Sequence, residues 1–307
     1  MVPVSLRSPI PKLGELPIIF LEKVLDRLDL ISQLNLRKVS HDLRKVVDSR
    51  KSPIEKIWIK YGSSGISVKL DVWDKKEHRY RRHRMTLESF ISILQNRKLY
   101  LQEFSIETWC DVDLGICEDC SSQGKQIRDG FNSLRHNLQV KRFRSECHEI
   151  DMMTILKKLQ PGSFKEWELG CMWHGFVPLH WRIPEEITSS NQWKRLKRFY
   201  LDESTVSVPI EHLFHLDWFH VELPLASMDD LMKLRDNSHN SASFKEGWVE
   251  FCGTTLKEQA IKERLNLVPN PDPEKQELLF HGIDTSEEGL DIELWSGNIF
   301  FYKPYNP

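Results

Sequence analysis

Between Leu16 and Val47 apolar residues recur every three or four positions. Phe20, Leu21, Val24, Leu25 and Leu28 fall on one side of a helix that Pro17 can open at its first turn, and Asp29 is expected to end it. Leu34, Leu36, Val39, Leu43, Val46 and Val47 continue with polar residues between them, which predicts two further short helices. A segment of roughly 30 to 40 residues cannot enclose a core of its own, so part of this apolar surface has to pack on something else. The stretch reads as a docking module.

The pattern changes after Ser49. Pro53 biases Ser52 away from helix, and Ile54, Ile57 and Ile59, then Ile66, Val68, Leu70 and Val72, alternate at a period of two around Gly62 to Gly65. That is a hairpin. From Thr86 onward a helical pattern repeatedly leads into a short strand. Leu87, Phe90, Ile91 and Leu94 follow the capping hydroxyl of Thr86, and strands are expected around Phe104 and Ile106, Phe143, Trp167, Phe199, Phe219 and Val221, and Trp248 and Phe251. Strand centres about 20 to 40 residues apart lie in the range of leucine-rich-repeat-like solenoids. A non-repetitive α/β domain would show the same alternation. Both readings give an α/β fold in which a parallel sheet forms one wall and helices the other. After the proline-rich break at Val268 to Pro273, two last segments ending in Gly289 to Lys303 alternate at strand spacing and are expected to cap the open edge of the array. The expected organisation is a flexible tail over 1–13, a three-helix head over 14–50 and an α/β body over 54–303.

The head resembles an F-box. The residues that carry the likeness are Leu16 and Pro17 at the opening, then Leu21, Val24, Leu25 and Leu28, then Leu34, Leu36, the run Arg37 to Ser40, and Leu43 with Arg44. Ile19 stands where an acidic residue is usual in that family, and Leu43 where many members carry Trp. The resemblance implies that Leu16, Pro17, Leu21, Val24, Leu25, Leu28, Leu34, Leu36, Val39 and Leu43 bind a Skp1-type adaptor, and through it a cullin. In the latter half, Pro161-Gly162 before a strand, Gln192-Trp193-Lys194 before the next, and the acidic helix opening at Ser227 to Leu231 resemble the FTH domain that accompanies F-boxes in an invertebrate-expanded family. That likeness implies a substrate-recruiting body and supplies no catalytic residues. The protein substrate stays unknown.

Charge changes this picture little. The formal net charge is -2, which gives no overall attraction to nucleic acid or membrane, so charged recognition has to be local. No apolar run approaches the length of a membrane span or a signal peptide, and six irregularly spaced cysteines argue for reduced thiols and a cytoplasmic or nuclear address. The run Lys75 to Arg84 is the most basic stretch and carries Tyr80. A single basic element reads as a solvated loop, with nucleic-acid binding as the alternative function.

Chemistry is sparse. Cys117 and Cys120 form one CxxC pair that Cys110, Cys147 or His148 would have to complete as a zinc site, and the second tight pair usual in such sites is missing. Cys171 and His174 are a thiol and an imidazole close in sequence, which would suit a hydrolase only if they met in space. No Gly-rich phosphate loop, HExxH or GxSxG is present. No cofactor, metal or catalytic residue is expected, and the chain reads as a binding subunit. Several of the ten tryptophans fall in predicted strands, where any left exposed on the sheet wall is a candidate contact for a partner.

Overall fold

The computed structural model describes residues 16–50, 52, 54–74, 78–109, 118–170, 181–202, 206–223, 226–250, 257–269, 280–283, 290–295 and 298–303. The head has three helices. The first, α1 (Ile18–Arg27), begins after Pro17 and stops where Leu28 becomes extended. Asp29 does not act as its terminator. It caps α2 (Leu30–Val39), its carboxylate accepting from the Ser32 N–H at 2.7 Å, because a short acceptor satisfies one of the orphan donors of a new first turn. Ser40 does the same for α3 (His41–Ser49) through the Leu43 N–H.

The body opens with β1 (Ile54–Gly62) and β2 (Gly65–Asp74), antiparallel about a turn that pairs Gly62 with Gly65. Gly65 adopts a φ of 99°, which favours a residue without Cβ. Next comes β3 (Arg79–Met85), antiparallel to β2. The basic run therefore becomes an exposed edge strand over Arg79 to Arg84 instead of the expected loop; 75–77 lie outside the described residues. Thr86 caps α4 (Leu87–Leu94), as its position suggests. There follow β4 (Tyr100–Trp109), α5 (Glu118–Asn132), β5 (Gln139–Glu146), α6 (Glu149–Leu156), β6 (Glu166–Gly170), β7 (Trp181–Arg182), α7 (Glu185–Thr188), α8 (Asn191–Lys194), β8 (Arg198–Asp202) and β9 (Val206–Ser207). A 3-10 turn over Ile210–His212 takes the place of the next expected helix before β10 (Trp218–Glu222), α9 (Met228–Asn240), β11 (Glu246–Glu250), α10 (Glu258–Arg264) and β12 (Val268–Pro269). The chain closes with β13 (Phe280–Ile283), β14 (Asp291–Trp295) and β15 (Asn298–Tyr302).

Among the described residues one 13-stranded sheet runs in the order β12-β13-β14-β15-β11-β10-β8-β6-β5-β4-β1-β2-β3. Its centre is parallel. From β1 through β4, β5, β6, β8 and β10 to β11, each strand pairs in parallel with the one before it in that series. β15 then pairs antiparallel with β11 and covers the edge that the array would otherwise leave open, as its spacing predicts.

One register line explains the core. Ile57, Phe104, Phe143, Trp167, Phe199, Phe219, Gly247 and Phe301 face one another strand by strand, a single rung across eight strands. The rings are in contact: Phe104 stacks on Phe143 with centroids 5.7 Å apart, and Trp167 meets Phe199 at 5.4 Å. Helices supply the opposing layer, with Phe90 and Phe131 against Phe104 and Trp193 against Trp167 and Phe199, and the connection after α9 adds Phe244 against Phe219. The buried indole N–H of Trp167 donates to the hydroxyl of Ser145 at 2.9 Å, which explains a fully buried serine in an apolar layer. At Gly247 an added Cβ would lie 2.4 Å from Cζ of Phe219, so glycine makes the space into which that ring packs.

Candidate functional site

The head divides its apolar residues between two duties. Leu21, Leu25 and Leu43 are buried inside it, Leu25 to 1% exposure, and Leu30 and Leu34 join the core of the body. Of the other residues that the F-box resemblance points to, Leu16, Val24, Leu28 and Leu36 are half-buried, and Pro17 and Val39 are exposed. The residues most open to a partner include three that the resemblance passed over. Ile18, Ile19 and Phe20 are 57%, 62% and 56% exposed in the first turn of α1, and Val39 at the end of α2 is 71% exposed. Leu21 turns inward from the same helical turn, so the three residues before it have no internal core to cover them.

A buried cation joins head to body. Arg37 on α2 is 3% exposed; its Nε and Nη2 donate to the Asp48 carboxylate on α3 at 2.6 and 3.0 Å, and Nη1 donates to the Ser92 carbonyl and hydroxyl on α4 at 2.7 and 2.9 Å. Lys38 donates to the Ser89 hydroxyl at 3.2 Å, and Lys98 reaches back to the Ser49 carbonyl at 3.3 Å. Sequence reasoning placed Arg37 only within an F-box-like run. Its burial is invisible there because Asp48 and Ser92 lie 11 and 55 residues away.

The second candidate surface is the sheet face opposite the helices. Strand alternation puts Lys56, Glu103, Arg142, Glu166, Arg198, Trp218, Glu246, Tyr302 and Asp291 on one outer rung. Its first half neutralises itself. Lys56 meets Glu103 at 3.2 Å and Arg142 meets Glu166 at 2.8 Å, while on neighbouring rungs Lys60 meets Glu107 at 2.5 Å and Arg144 meets Glu168 at 3.1 Å. Opposite charges facing across strands stabilise the sheet modestly and leave little net field. From β8 on, rings replace this lattice. Tyr200 stacks on Trp218 at 6.1 Å, His220 stacks on Trp248 at 4.3 Å, and Trp248 meets Phe300 at 4.5 Å, all half-buried. A shallow depression of about 340 Å³ marks the boundary, lined by Arg142, Arg144, Arg198, Tyr200 and Trp218.

The tryptophans sort accordingly. Trp167 and Trp193 are core, Trp58, Trp218 and Trp248 are half-buried on the outer face, and Trp109 is exposed. The basic run is split by strand alternation. Tyr80, Arg82 and Arg84 share the outer face with Trp58, and Arg81 and His83 point to the other side. Arg82 pairs with Asp71 at 2.9 Å and lies 5.0 Å over Trp58, and Tyr80 donates to Glu55 at 2.7 Å.

Two buried thiols do not make a reactive centre. Cys120 and Cys147 are both buried, and burial, followed by the negative charge of Asp151, pushes the Cys147 thiol well above its ordinary value. Asp151 is itself buried. It accepts from the Tyr61 hydroxyl at 2.5 Å and from Arg128, an arrangement that ties β1 to α5 and α6. Among the described residues no three His, Cys, Asp or Glu side chains are placed to hold a metal. Cys110, Cys117, Cys171 and His174 lie outside the described residues. No helix among the described residues is long and apolar enough to cross a membrane.

Family comparison assigns a domain to the helical head and another to the sheet-bearing body. The F-box domain model matches residues 13–55 and the FTH domain model matches residues 123–265. The chain is thus an F-box followed by an FTH domain. F-box A protein 224 of Caenorhabditis elegans is 23% identical over 267 residues, a match that takes in 78% of this chain and 66% of that protein, just under two thirds of its length. The FTH match begins inside α5 and ends just past α10, so β1 to β4 and β12 to β15 extend the sheet on both sides of it.

Proposed function

We propose that this chain is a substrate-recognition subunit of an SCF-type cullin-RING ubiquitin ligase. The head, over 14–50, binds a Skp1-type adaptor and through it a cullin; the body, over 54–303, holds a protein substrate on its open sheet face. The chain is no enzyme in this reading, since ubiquitin transfer resides in other subunits. It works in the cytoplasm or nucleus, where the ligase does.

The observation that carries the reading is the exposed apolar first turn of α1, Ile18 to Phe20, on a head whose own core is already filled by Leu21, Leu25 and Leu43. Pro17, Val39 and the half-buried Leu16, Val24, Leu28 and Leu36 extend the adaptor surface. Leu21, Leu25 and Leu43 contribute by holding the three helices in place, and Leu34 by seating the head on the body. Full burial of one large aliphatic or aromatic side chain is worth about 1.5 to 3 kcal/mol, so two or three such residues suffice to decide the contact.

Co-expression with a Skp1 protein tests this. Wild type should co-purify in a stoichiometric complex, and the Ile19→Asp, Phe20→Asp double variant should lose the complex with its melting transition unchanged. A complex retained by that variant would count against the reading.

A further inference from the structure

The outer face changes character along the sheet. Across β1, β4, β5 and β6 Lys56, Lys60, Arg142 and Arg144 each face a carboxylate, yet β10, β11, β14 and β15, with the sequences WFHVE, EGWVE, DIELW and NIFFY, contain no lysine or arginine. Their outward carboxylates are Glu222, Glu246, Glu250, Asp291 and Glu293. The partners that these have are neutral or weakly basic: Glu250 meets His220 Nε2 at 3.0 Å, and Glu293 accepts from the Tyr302 hydroxyl at 2.9 Å.

Glu222 and Glu250 are direct partners across β10 and β11. Like charges directly opposite on adjacent strands destabilise a sheet, and nothing among the described residues offsets this pair with a full positive charge. Among them stand Trp248, between Glu246 and Glu250 along β11, Phe300 beside it on β15, and Trp218, between Arg198 and Glu246, all half-buried. Ring faces flanked by carboxylates attract ammonium and guanidinium groups, because ring quadrupole and charge act in the same direction.

We propose that the strip formed by Trp218, Trp248 and Phe300, edged by Glu222, Glu246 and Glu250, docks a lysine- or arginine-bearing segment of the recruited protein. This rests on the reading of the body as the substrate-holding part and names the chemistry that it selects. A basic side chain laid across the strip relieves the Glu222 and Glu250 repulsion while its alkyl stem covers an indole. The charge lattice over β1 to β6 offers no such surplus, so recognition is confined to the C-terminal third of the sheet.

The test uses the full chain and two fluorescein-labelled peptides, one alternating lysine with serine and one alternating glutamate with serine, with binding followed by anisotropy. The basic peptide should bind and the acidic one should not. Glu222→Lys with Glu246→Lys should weaken the basic peptide by about tenfold or more, the scale of 1.4 kcal/mol or greater. Glu185→Lys with Asp229→Lys, which makes the same change in net charge on exposed helix positions, should leave it within about twofold. Trp248→Ala in a chain of unchanged melting temperature should weaken it as well. Absence of binding to wild type, equal binding of the two peptides, or an equal loss in the helix-surface variant would each overturn the proposal. Co-purification with Skp1 is measured on the same Glu222→Lys, Glu246→Lys protein and should be intact. Loss of the adaptor complex by wild type would instead strike the adaptor reading and leave the peptide result standing.

Discussion

Arg37 and Ser92 are 55 residues apart in sequence, yet the guanidinium of one donates to both the carbonyl and the hydroxyl of the other, at 2.7 and 2.9 Å. With Asp48 on the remaining edge, this buried ion locks the head to the first helix of the body. In the proposed function a rigid joint matters, because the position of a bound substrate would be set by the angle at which the two halves meet. Arg37→Met should destabilise the head by about 3 kcal/mol, the low end for breaking a buried pair, because Asp48 keeps some solvent contact. Ser92→Ala removes only the hydroxyl and should cost about 1 kcal/mol. Limited proteolysis between α3 and β1 together with thermal melting distinguishes the two; equal behaviour would refute the joint.

Surface and core positions of the head should separate cleanly. Leu25 is buried, so Leu25→Ala is expected to cost about 2 to 5 kcal/mol of head stability and to reduce adaptor binding through unfolding. Ile19→Asp should leave the melting curve in place and reduce adaptor affinity by about tenfold or more. Calorimetry alongside an adaptor titration reads both quantities.

The rung through Phe219 and Gly247 gives a paired test of packing. Gly247→Ala places a methyl against the ring of Phe219 and should destabilise the body by about 1 to 3 kcal/mol. Phe219→Leu in the same chain should restore part of that loss. Urea unfolding of the two single variants and the double variant measures the coupling; simple additivity would show that the two residues do not compete for one space.

Acid should weaken the fold through His215. Burial lowers its affinity for a proton below the ordinary value of 6.5, and Lys197 adds to the effect, against the opposing influence of the Trp193 and His212 backbone. Its Nε2 lies 2.7 Å from the Trp193 carbonyl, to which it donates as the neutral ring. The folded pKa is depressed, so the unfolded chain binds the proton more tightly. The stabilisation is complete above about pH 6.5 and is lost as pH falls through the folded value. His136 is lowered in the same direction by burial and by Arg97. Melting temperatures of wild type and His215→Gln between pH 5 and 7.5 should converge toward acid; a constant gap across that range would refute the assignment.

The sequence by itself determined the elements whose signal is local. The three head helices, the hairpin at Gly62 to Gly65, the Thr86 cap and the helix-then-strand alternation of the body all follow from spacing, turn residues and side-chain hydroxyls within a few positions of one another. Asp29 and the basic run depart from the sequence expectation for the same reason. A single acidic residue can end one helix or start the next, and a charged run can be loop or edge strand; only the neighbouring chain decides which. The tertiary structure decided everything that depends on pairing between distant segments. It chose which leucines of the head face inward, buried Arg37 between Asp48 and Ser92, brought one aromatic residue from each of several strands into a shared rung, and split the outer face into a neutral lattice and an acidic aromatic strip. Period-two alternation tells which residues share a face of one strand. The register of the sheet, set by the packing of its buried rung, tells which of them meet across strands, and the surface available to partners is written in that second relation.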